Sequence, residues 1–94
     1  MRSLEERLLK YENEVKLFLE EADFENPAQL LTDFDDLIMF RYGLAGKTVE
    51  ELDRKYLSQI YEAITSRYPE FRTYVLNSFK SAGVDLNIFQ KIPA

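Results

Sequence analysis

The stretch PAQLLTDFDDLIMFRYG, residues 27–43, constrains the fold more than any other part of the chain. Asn26 offers a side-chain oxygen to an unpaired backbone N–H of a first helical turn. Pro27 suits the first helical position, where its missing N–H costs nothing and its fixed φ helps. Gly43 suits the left-handed closure of a helix. Between these signals Leu30, Phe34, Leu37, Ile38 and Arg41 recur at helical spacing. Leu37-Ile38-Met39-Phe40 widens the apolar stripe to most of the circumference, and a helix apolar nearly all round needs neighbours on more than one side. The spacing predicts a helix whose C-terminal half lies in the interior or at a subunit contact. Asp33, Asp35 and Asp36 keep its first half in contact with water.

The flanking segments read as helices that cover this one. Ser3 with Glu6 is a capping-box signature opening a helix over 3–22, along which Leu4, Leu8, Tyr11, Val15, Phe18 and Ala22 step by four and three, with Leu9, Leu17 and Leu19 to one side. Residues 23–26 form a short connection in which Phe24 plugs the helix ends. Gly43 and Gly46 make a turn. Thr48 with Glu51 is a second capping box, opening a helix over 49–67 whose first-turn acids Glu50, Glu51 and Asp53 complement its dipole. Tyr68 precedes Pro69, which disfavours helical geometry there. Pro69 then opens a fourth helix over 69–82, with Phe71, Val75, Phe79 and Ala82 inward and Gly83 as its stop.

The tail carries Val84, Leu86, Ile88, Phe89 and Ile92, with Asp85 placed to cap a short turn. Free termini are usually polar and frayed, so this one is expected to fold back over the bundle in preference to docking on another subunit. No segment alternates with the period of a strand. Short connections make sequential helices antiparallel neighbours. The expected fold is all-α: one domain over 1–94, a four-helix antiparallel bundle-like arrangement with a short C-terminal segment packed across it.

Ninety-four residues support one core, burying roughly 60–65% of the unfolded surface. The chain has no cysteine and no histidine. That removes thiolate sites, the cysteine nucleophile, the commonest general base and the commonest transition-metal ligand. No apolar run is long enough to span a bilayer, and MRSLEERLLK lacks an apolar signal core, so the expected setting is the cytoplasm, away from membranes. The formal net charge of −5 is uneven: residues 1–47 hold eleven acids and six bases, and residues 12–36 hold nine acids against Lys16 alone. Such a surface repels phosphate backbones, so nucleic acid is not an expected partner. It suits a basic protein, although a solvated face that keeps a small domain soluble accounts for the same charges.

Within Asp33-Phe34-Asp35-Asp36, Asp33 and Asp36 share a helix face and Asp35 points elsewhere. Hard cations need several oxygen ligands and one helix supplies two, so no metal, cofactor or catalytic residue is assigned. Arg41-Tyr42 brings together residue types enriched at interface hot spots. The six tyrosines cannot all be buried with their hydroxyls satisfied in so small a core, so some belong on the surface. The candidate partner-binding set is Asp33, Asp35, Asp36, Met39, Phe40, Arg41 and Tyr42. Two functions fit: a non-catalytic protein-interaction or regulatory module, open to homodimerisation through the apolar end of the helix or the tail, and an acidic inhibitor of immunity type that neutralises a basic protein. The first is preferred.

Overall fold

The computed structural model describes residues 3–89. Four helices carry the fold. α1 is Leu4–Glu21 and α2 is Pro27–Arg41. α3 is one helical rod in three pieces, Lys47–Leu52, a π-helical turn Asp53–Leu57, and Ser58–Arg67. α4 is Arg72–Ser81, entered through the 3-10 turn Pro69–Phe71. A last 3-10 turn, Leu86–Phe89, follows. Among the described residues there is no strand, and no helix is long and apolar enough to cross a membrane.

The starts of α1 and α2 are set by the predicted caps. Ser3 Oγ accepts from the Glu6 N–H, and Asn26 Oδ1 accepts from the Gln29 N–H. The start of α3 differs from expectation. Gly46, at φ 114°, swings the chain straight into Lys47 with no side-chain cap, so Thr48 lies inside the first turn rather than capping it. Gly43, at φ 77°, turns the chain out of α2 where an added Cβ would stand 2.9 Å from Arg7 Nη2. The left-handed conformation calls for glycine there, while the flexible end of Arg7 could move aside from a Cβ. Tyr68 breaks α3 from the next turn at φ −129°, ψ 77°, as a residue before proline should.

Specific contacts fix the directions. Lys10 reaches Phe40 and Phe18 meets Phe34, so α1 and α2 run antiparallel. Asp35 pairs with Tyr74 while Arg41 reaches Ala82 and Gly83, so α2 and α4 run parallel. Tyr11 meets Asp53, and Arg67 meets Glu25 just beyond α1, so α1 and α3 run parallel. The result is an up-down-up-down bundle.

Leu30, Phe34, Leu37, Ile38 and Arg41 are the buried residues of α2. Phe34 sits at the centre, its ring 5.7 Å from Phe79, 6.3 Å from Phe18 and 6.4 Å from Tyr74. Phe24 packs edge-on against Phe18 at 5.8 Å, and its carbonyl accepts from the Tyr68 hydroxyl. The described part of the tail, residues 84–89, folds back within the chain: Val84 and Phe89 are buried, Phe89 stacks on Phe79, and Asp85 caps the turn through the Asn87 N–H. Ile92 lies outside the described residues.

Candidate functional site

The seven candidate residues of α2 and the turn after it divide into three environments. Arg41 departs furthest from expectation. Placed in the helical stripe by its spacing and in the partner-binding set by its residue type, it is 3% exposed, which removes it from a free surface, and it forms an ion pair with Asp53, itself 2% exposed. Nε lies 3.2 and 3.1 Å from the two Asp53 oxygens and Nη2 lies 3.0 Å from Oδ2. Nη1 donates to Leu44 O at 2.8 Å and to Ala82 O at 3.5 Å, and Nη2 donates to Gly83 O at 3.2 Å. A guanidinium has five N–H donors, and here all five are taken. Asp53 Oδ1 also accepts from the Tyr11 hydroxyl at 2.6 Å. Each of the four helices thus contributes to one buried polar knot, α4 through the carbonyls at its C-terminal end. Asp53, expected as a first-turn acid that complements the helix dipole, opens the π-helical turn instead.

Burial, reinforced by the Asp53 carboxylate beside it, pushes the Tyr11 phenol well above its ordinary value. Tyr11 therefore stays the donor in its bond. Unfolded tyrosines ionise near pH ~10. A group whose folded pKa is raised loses its stabilising contribution as pH rises above the unfolded value. Thermal melts compared at pH values on either side of that point should show a steeper fall for the wild type than for Tyr11→Phe. Equal slopes would contradict this.

The remaining candidates lie on two flanks of α2. Asp33, Asp36 and Phe40, spaced by three and four, face α1. There Asp33 and Asp36 border a hollow of about 280 Å³ with Glu14, Leu17, Phe18 and Glu21. Phe40, half-buried, lies under Lys10 Nζ at 5.4 Å. It lines a second hollow of about 240 Å³ with Arg7, Lys10, Met39 and Tyr42. Asp35 faces the other way and accepts from the Tyr74 hydroxyl at 2.6 Å, a bond that raises the Tyr74 pKa. It borders a third hollow, about 380 Å³, between α2 and α4 with Ile38, Met39, Tyr42 and Ser78. Met39 stands on the crest between the second and third hollows at 70% exposure, and Tyr42 beside it is 49% exposed.

Sequence reasoning did not assign Arg7, Lys10, Glu14, Leu17, Glu21 and Tyr74 to this surface. The signal was present for five of them. Arg7, Lys10, Glu14, Leu17 and Glu21 step by three and four alongside the buried stripe of α1, which makes them one flank of that helix. Among the described residues no three carboxylates gather closely enough to hold a metal ion. Asp33 accepts a hydrogen bond from Gln29, and among the described residues no buried side-chain polar atom lacks a partner.

No protein-family model, no curated protein and no solved structure matches the chain. What it does is therefore read from its own surface.

Proposed function

We propose that the chain is a non-catalytic protein-interaction module that binds a protein along the outer face of α2. The observation that carries this reading is Met39, 70% exposed on a ridge with Tyr42, with a hollow on either side. Methionine is unbranched and polarizable, and it fills irregular apolar surfaces. Tyrosine presents a large ring at low entropic cost and is enriched at binding hot spots. An apolar ridge between hollows gives a partner something to pack around. The polar groups nearby are engaged within the chain: Asp35 with Tyr74, Arg7 with the Tyr42 carbonyl, and Lys10 with Glu14. That leaves shape and apolar contact as the main offer of the ridge itself.

A photo-crosslinking residue at position 39 should give a discrete protein adduct, with the purified chain or in native extract. The same residue at position 9 should not, since Leu9, 58% exposed, borders none of these hollows. Equal labelling from both positions, or none from position 39, would refute the reading.

A further inference from the structure

The reading above leaves the partner open, and the seam between α1 and α2 narrows it. Its outer face has two ends of opposite character. At one end Arg7 and Lys10 border the hollow that holds Phe40 and Met39. At the other end Glu21, Asp33 and Asp36 surround Leu17, which is 45% exposed. Glu14 sits between the ends and pairs with Lys10 at 3.1 Å. Among the described residues Glu21, Asp33 and Asp36 make no ion pair. Arg7 and Glu21 are fourteen positions apart on one helix, which at 1.5 Å per residue is about 21 Å.

We propose that this seam is the contact face of a symmetric dimer, with a second copy of the chain laid antiparallel across it. A face with cations at one end and anions at the other is complementary to itself under a two-fold axis through its middle, and a two-fold contact uses the same patch on both subunits. The axis brings Arg7 and Lys10 of each copy over Glu21, Asp33 and Asp36 of the other. It also seats Leu17 of each copy against Met39 and Phe40 of the other, because these apolar groups lie at opposite ends. The reverse alignment would stack acids on acids and leave Leu17 on Leu17, so the charges select one orientation. The proposal rests on the interaction-module reading and specifies its partner as this chain.

Light scattering on the purified protein should give a mass approaching twice 11.1 kDa at high concentration. The dimer should weaken as salt shortens the screening length from about 10 Å at 0.1 M to about 3 Å at 1 M. Arg7→Glu with Lys10→Glu makes both ends acidic, and Asp33→Lys with Asp36→Lys makes both ends basic. Each double variant should be monomeric alone, and an equimolar mixture should return to the dimer mass. A misfolded variant could not be rescued by mixing. As a check without variants, carbodiimide coupling of mixed ¹⁴N and ¹⁵N wild-type protein should join Lys10 of one isotope to Asp33, Asp36 or Glu21 of the other. A wild type that is monomeric at every concentration, a dimer indifferent to both reversals, or a mixture that stays monomeric would each overturn the proposal. If the wild type is monomeric while position 39 still crosslinks to a different protein, such as one presenting a basic helix, the dimer fails and the interaction reading stands. If neither is seen, both fail.

Discussion

Asp53→Ala is expected to lower folding stability by about 3–5 kcal/mol, the range for removing one partner of a buried ion pair. At about 4–8 °C per kcal/mol for a domain of this size, the melting temperature should fall by at least about 12 °C. The cost arises from what is left behind. Arg41 would keep its charge at a position 3% exposed, its Nε and one Nη2 hydrogen would lose their acceptor, and the Tyr11 hydroxyl would lose its own. Removing both charges should hurt less than the two single losses combined, so Arg41→Met with Asp53→Leu should recover part of the stability. It should not reach the wild type, because Leu44, Ala82 and Gly83 would still lack the donor that now serves their carbonyls. Urea unfolding of the wild type, Arg41→Met, Asp53→Leu and the double variant forms a double-mutant cycle. A loss below about 1 kcal/mol for Asp53→Ala would mean that water reaches the pair, contrary to its burial.

The fold was legible in the sequence because its signals are local. Ser3 and Asn26 cap their helices through bonds that span three residues, and Pro69 acts on its immediate neighbour. The apolar stripe of α2 was read as Leu30, Phe34, Leu37, Ile38 and Arg41, and those are the residues it buries. The ion pair was missed although half of it stood in that stripe. Asp53 stands four positions after Val49 and four before Leu57, both buried, so two opposite charges each occupied a core position of their own helix. Dipole complementation gave Asp53 a sufficient local role and concealed the non-local one.

The candidate site was less legible, for a geometrical reason. Helical period separates Asp33 and Asp36 from Asp35, but it does not say which neighbour covers which flank. Only the docking of α1 on one side and α4 on the other places Asp33 and Asp36 beside Glu21 and leaves Asp35 with Tyr74. Likewise the run Leu37-Ile38-Met39-Phe40, apolar nearly all round, left open whether the interior or a subunit contact would cover it. With neighbours on two sides only, the crest residue Met39 is left out.

Crest and core differ in what a truncation costs. Phe34→Ala should cost about 3–5 kcal/mol, as Phe→Ala changes in cores do, and Met39→Ala on the same helix should fall within about 0.5 kcal/mol of wild type, as surface changes usually do. Phe34 is fully buried, with rings of Phe18, Tyr74 and Phe79 about it from α1 and α4. Phe79 is itself stacked on Phe89, and Phe18 is braced by Phe24. Rings held from behind cannot collapse into the space a lost phenyl leaves, so the cavity contribution adds to the lost transfer energy. Met39 has no such surroundings, and trimming it should cost binding without costing stability. Denaturant unfolding of both variants, with m-values unchanged from wild type, decides the matter. Similar losses from the two would mean that the ridge is held against the bundle and is not free for a partner.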